Sequence, residues 1–281
     1  MDATATAWVM TTAVLAAVGW GTSDFLAGAL TRRVPLLTIL IGSQIAAMIL
    51  VLPVAVVRGL PPAWDARLWL GAAAGLIGLP AMGLLYRAMR DGSPAVVAPV
   101  AAIAALIPVG WGLLHGQRVG AFVVVGVAAG LAGATMASWP VPGLPRSRPR
   151  WPAAVCALGA AVGFGAFFVL LHEAGEADEF WAVAIARISA GVAATALAVL
   201  LGQCRPTLFQ PKIFLVGASD VGADAAFIVA AASALAPTAV VASLYPAVTL
   251  LLNRLVLRER LHTIHLYGVV SAVFAVACLA R

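Results

Sequence analysis

Charge is scarce in this chain and lysine is almost missing. Of 281 residues only 10% are Asp, Glu, Lys or Arg, and Lys212 is the single lysine. A soluble domain carries about 25% charged residues, so a water-facing globular surface is excluded. The net charge of +6 lacks the lysine-rich or aromatic-interleaved patch that a nucleic-acid partner would need. The basic residues are arginines at the ends of apolar runs, as expected beside a membrane. Cysteine is sparse as well. Cys156, Cys204 and Cys278 make no metal-ligand spacing and cannot all pair with one another, so they read as small apolar filler. HExxH, GxSxG, Walker and GxGxxG patterns are missing, and His115, His172, His262 and His265 share no metal-like spacing with a carboxylate or cysteine cluster. No segment is polar enough to house a nucleotide domain, which excludes an ATP-driven pump within this chain. No metal, cofactor or enzymatic activity is expected.

What remains is apolar. Hydrophobic residues make up 63% of the chain and mean hydropathy is +1.04. A spanning helix needs about 20 mostly apolar residues. Ten such runs are expected to span: 7–30, 34–57, 68–86, 95–114, 119–139, 151–171, 180–201, 213–235, 237–257 and 264–280. They are too long, and alternate too little, for barrel strands. The first run has no basic region before it and reads as a spanning helix rather than a cleaved signal. The Pro/Arg-rich stretch 140–150 separates residues 1–139 from 151–281.

The halves look alike. Gly19-Trp20-Gly21 answers Gly163-Phe164-Gly165 at an offset of 144, and Ser93-Pro94-Ala95-Val96-Val97 answers Ala236-Pro237-Thr238-Ala239-Val240 at 143. His115-Gly116-Gln117-Arg118 answers Leu257-Arg258-Glu259-Arg260 at 142. Five helices per half is odd, so the second half enters from the opposite side. The expected fold is an all-α membrane protein of ten transmembrane helices in two inverted five-helix repeats, an architecture used for alternating access.

These motifs and this architecture resemble the EamA-type transporters of the drug/metabolite superfamily over the whole chain. Gly21-Thr22-Ser23-Asp24-Phe25 with Thr31-Arg32-Arg33 resembles one bacterial branch. The family's Gly-Glu turn is Gly116-Gln117 in one half and Arg258-Glu259 in the other, so only Glu259 supplies that carboxylate. The resemblance implies a multi-pass protein of the bacterial plasma membrane. It also implies export of small metabolites, amino acids or drugs, with helices 5 and 10 outside a central cavity. It names no substrate, and monomer and homodimer both fit.

Ionisable groups inside the apolar runs are the candidate site. Each costs about 2.5 kcal/mol or more near the bilayer centre. Asp220 and Asp224, four residues apart, share one helix face. They read as a proton-accepting or substrate-binding pair, or as part of a structural ion pair. Arg187 and Asp224 lie at matching depths, about 10 Å from one face. Arg187 either neutralises Asp224 or binds a substrate carboxylate. Asp220, with no evident partner, is the expected proton carrier. Trp20, Gln44 and Tyr245 complete the expected substrate or proton path. Asp24 is expected to pair structurally with Arg87 or Arg90. Pro99, Pro108 and Pro246 break the corresponding helices 4 and 9, which marks a binding site or ordinary membrane-helix proline. Gly71-xxx-Gly75 and Gly126-xxx-Gly130 read as close helix packing, and Trp8, Trp64, Trp69, Trp139, Trp151 and Trp181 as an interfacial belt.

Two other classes bear comparison. An intramembrane lipid-modifying enzyme needs acids clustered with histidines near one interface, and here they lie apart. A non-transporting assembly subunit does not need buried Asp220, Asp224 and Arg187. For sidedness, the face bearing the termini carries four basic residues and the other twelve. The positive-inside rule therefore puts the termini outside, whereas the resemblance implies inside.

Overall fold

A computed structural model describes residues 3–30, 33–59, 65–91, 103–116, 120–137, 139, 151–203, 208, 210–257 and 262–279. Among them every regular element is helical. In hydrocarbon each backbone N–H and C=O must be satisfied within its own segment, which a helix does. In chain order the helices are α1 (Ala3–Leu30), α2 (Leu36–Arg58), α3 (Leu68–Asp91), α4 (Leu106–Leu114), α5 (Ala121–Ala137) and α6 (Trp151–Gly175). They continue as α7 (Glu179–Leu200), α8 (Pro211–Ala231), α9 (Leu235–Ala242), α10 (Tyr245–Leu257) and α11 (Thr263–Leu279). A 3₁₀ turn, Ile103–Ala105, leads into α4. Six helices, α1, α2, α3, α6, α7 and α8, are long and apolar enough to cross a membrane. The chain is a multi-pass membrane protein.

Among the described residues the remaining expected spans are shorter or divided. The ninth, 237–257, is two helices with a break at Ser243 and Leu244. Pro246 falls in the first turn of α10, where a helix has no use for the missing N–H. Pro108 likewise lies in the first turn of α4, buried. Of the fourth expected span, Pro99 lies outside the described residues, as do the linker 140–150, Gln117, Arg258, Glu259 and Trp64.

Local sequence explains the helix ends. Asp178 caps α7 by accepting a 2.9 Å bond from the Trp181 backbone N–H, a device worth about 1 kcal/mol. Gly202, at φ +62°, ends the same helix in the left-handed conformation that glycine adopts without strain. In the α2–α3 connection Asp65 accepts the Arg67 backbone N–H at 2.8 Å, which holds its carboxyl below the usual range.

Close approach between helices depends on small residues. A Cβ on Gly71 would meet the Ala182 carbonyl oxygen, and one on Gly75 the Ala186 carbonyl and Ser189 hydroxyl of α7. Ser189 bonds across to the Ala72 carbonyl at 3.0 Å. The main packed pairs are α3 with α6, α1 with α8, α5 with α11, α3 and α2 each with α7, and α2 with α8. Gly130 of α5 faces Ala275 of α11, and Ser271 bonds to the Ala129 carbonyl at 2.8 Å.

The outer surface is apolar, with Val57, Leu114, Leu200 and Leu255 broadly exposed, as lipid contact requires. Trp8, Trp69 and Trp139 are exposed near helix ends. Trp181 departs from the expected belt. It is only 9% exposed, packed against Phe180 at 5.5 Å between ring centres. Arg58 reaches Asp178 at 3.4 Å and lies 4.7 Å over the Phe180 ring, which ties the α2–α3 and α6–α7 connections together at one end of the bundle.

Candidate functional site

The α7–α8 contact brings the intramembrane charges together. Arg187 stands on the buried face of α7, and Asp220 and Asp224 on the buried face of α8. Arg187 Nε donates to Asp224 Oδ2 at 2.6 Å, and Nη1 donates to Asp220 Oδ2 at 2.9 Å. Nη1 also donates to Gln44 Oε1 of α2 at 3.3 Å, and Nη2 to the Asp220 carbonyl at 3.4 Å. Nη2 contacts Asp224 Oδ2 as well. A guanidinium only donates, so it fixes which end of the Gln44 amide faces it. Arg187 and the two aspartates are 6%, 3% and 0% exposed, and at that burial only mutual pairing makes the charges tolerable.

This geometry corrects one expectation. Asp220 is not left without a partner, because the guanidinium fork spans both carboxylates across one helical turn. The same contacts give every N–H of Arg187 a partner within the protein.

A cavity of about 60 Å³ lies against this cluster. At roughly 10–15 Å³ per water it holds about four to six waters or one small ligand. Asp24 and Trp20 line it from α1, Gln44 from α2, Arg187 from α7, Asp224 from α8, and Ser243 and Tyr245 from the α9–α10 break. Phe164, Phe167 and Phe168 line it from α6, and the 3₁₀ turn adds Ala104. No described residue of α5 or α11 takes part. The aromatic side is continuous. Trp20 lies 5.3 Å from Phe168, and behind them the fully buried Phe227 of α8 stacks on Phe168 at 4.9 Å and lies 5.6 Å from Trp20.

Two groups at the cavity lack partners. Ser243 Oγ and Asp224 Oδ1 are buried without a hydrogen bond among the described residues, although the Trp20 indole stands beside Asp224. Asp24 is 8% exposed and forms no ion pair among the described residues. Arg87, its expected partner, is exposed at the end of α3, and the Arg90 side chain lies outside the described residues. Facing Asp24 instead are Asp220, Tyr86 and Tyr245.

Sequence reasoning did not place Ser243, Phe164 or Phe168 in the site. Phe164 was findable, because it occupies the place of Trp20 in the repeated Gly-aromatic-Gly motif. Ser243 carries no sequence signal beyond its closeness to Pro246. Trp111 was also missed; its indole donates to Glu173 Oε1 at 2.8 Å and joins α4 to α6.

Residues 7–139 match the EamA-like transporter family. No curated protein matches the sequence. A solved structure, titled only as a crystal structure of a protein, is similar with a TM-score of 0.76 and 18% identity, covering 99% of this chain and 96% of its own. At that identity the likeness carries the fold alone.

Proposed function

Starting from a chain whose residues 7–139 match the EamA-like transporter family, we propose a secondary active transporter that exports small polar metabolites or drugs, amino acids and their relatives included. It works in the plasma membrane of a bacterium, by alternating access around the central cavity. The observation that carries this reading is the buried cluster of Arg187, Asp220, Asp224 and Gln44 beside a cavity that Asp24 also lines. Burying such groups in hydrocarbon is unfavourable by several kcal/mol, and a polar path across the bilayer is the use that accounts for it.

Alternating access needs two halves that rock against each other. We take residues 1–139 and 151–281 as inverted five-helix repeats, with 140–150 as their linker. The packing supports this. Exchanging the halves pairs α1 with α6, α2 with α7, α3 with α8, α4 with α9 and α10, and α5 with α11. Under that exchange the α3–α6 contact becomes α8–α1, and α3–α7 becomes α8–α2, while α2–α7 and α5–α11 map onto themselves; all of these are packed pairs. The glycines obey the same exchange. Gly19 abuts Ala223 of α8 as Gly163 abuts Ala81 of α3, and Gly21 abuts the Tyr245 carbonyl as Gly165 abuts the Ala104 carbonyl.

Proton coupling is part of the proposal, and Asp24 replaces Asp220 as its carrier. Asp24 lines the cavity without an ion pair among the described residues, whereas Asp220 is held by Arg187. The test is flux of labelled amino acids and amines in proteoliposomes of the full chain, with and without a pH gradient. Flux that responds to the gradient supports the reading. Flux of no solute under any gradient overturns it.

A further inference from the structure

The charges around the cavity do not balance. Asp24, Asp220 and Asp224 set three carboxylates against the single guanidinium of Arg187, so two formal negative charges remain among the described residues. Every Arg187 donor is already committed, so among the described residues the site has no free cation with which to hold an anionic group. Uncompensated charge in a water-poor interior is unfavourable. An occupant bearing positive charge relieves that imbalance, and one bearing negative charge worsens it.

The uncharged lining says what kind of cation fits. Trp20 and Asp24 are four residues apart on α1, so they stand on one helix face about one turn apart. A cation at Asp24 therefore lies within reach of the Trp20 ring, whose π face attracts it. Phe164 and Phe168 continue the aromatic surface. A bare metal ion needs a shell of oxygen ligands, and an apolar, aromatic wall is poorly suited to supply one. The Ser243 hydroxyl, 5% exposed and unpartnered among the described residues, lines the same space and can accept from an ammonium N–H.

Resting on the transporter reading above, we propose that the transported substrate is a small organic cation. Its ammonium sits between Asp24 and the Trp20 ring, within reach of Ser243, and its apolar body lies against Phe164 and Phe168. The Arg187–Asp220–Asp224 cluster is then a fixed electrostatic wall rather than a carboxylate clamp.

A charge series on one aromatic skeleton tests this with the natural chain alone. The full chain in lipid nanodiscs is titrated calorimetrically with 2-phenylethylammonium, L-phenylalanine, 2-phenylethanol and phenylacetate. The expected order is cation first, with phenylacetate weakest by about tenfold or more. Asp24→Asn should remove the preference for the cation, while Asp65→Asn, in the α2–α3 connection, should keep it. Tighter binding of phenylalanine or phenylacetate overturns the inference, as does binding of none of the four or a cation preference that survives Asp24→Asn. Binding of Na⁺ with no organic cation also overturns it and makes the seat a coupling-ion site. If Asp24→Asn fails to fold, the charge series still decides. Flux of a neutral or anionic solute in proteoliposomes, with no cation binding, ends this inference and leaves the transporter reading standing.

Discussion

Arg187 and Asp220 are joined at 2.9 Å by a guanidinium that holds Asp224 with its other edge. One cation on α7 thus bridges two carboxylates a helical turn apart on α8. The bridge gives the cluster a stabilising role, and it leaves Asp24 as the cavity-lining acid without an ion pair among the described residues.

Arg187→Ala should therefore destabilise the protein by about 3–5 kcal/mol, since two buried carboxylates lose their partner. Adding Asp220→Asn and Asp224→Asn to that variant should recover much of the loss without restoring transport. Thermal unfolding of purified protein reads the first effect and proteoliposome flux the second. A stable Arg187→Ala variant with normal flux would contradict both roles.

Asp24→Asn should keep the amount of folded protein in the membrane near normal, because no ion pair to Asp24 is lost among the described residues. Flux should fall, and its dependence on the pH gradient should disappear. Size-exclusion profiles and flux per molecule separate these effects. A drop in folded protein with unchanged flux per molecule would return Asp24 to the structural role the sequence suggested.

Gly75→Ala should be strongly destabilising, by about 1–3 kcal/mol or more, because the added methyl meets the Ala186 carbonyl and the Ser189 hydroxyl. Gly28→Ala, where a Cβ meets nothing within 4 Å, should be neutral or stabilise by up to about 1 kcal/mol. Paired melting curves read the contrast.

Asp178→Ala should lower stability by about 1 kcal/mol through loss of the α7 cap. Asp178→Asn keeps a capping acceptor but removes the charge facing Arg58. It should cost less, since exposed ion pairs contribute about 0–1 kcal/mol. Equal losses in the two variants would assign the effect to the Arg58 pair instead.

Composition and run length determined that the chain crosses a membrane many times as helices, because hydrocarbon leaves the backbone no other partner. The residues of the buried cluster were legible for the same reason. An aspartate or arginine in an apolar run carries a desolvation penalty, and that penalty marks it in the sequence alone. The Gly-aromatic-Gly pairs were visible in the sequence, and their glycines have a physical cause in helix contact. Who pairs with whom was decided only in three dimensions. Spacing placed Asp220 and Asp224 on one face but gave no rotation of α8 against α7, so it could not say that one guanidinium reaches both. Depth put Asp24 near the arginines of α3, but depth contains no azimuth. The rotation of α1 turns Asp24 into the cavity, while Arg87 of α3 is exposed. The aromatic wall built from Trp20 of α1 and Phe164, Phe167 and Phe168 of α6 likewise exists only once distant segments pack, because it belongs to no single helix.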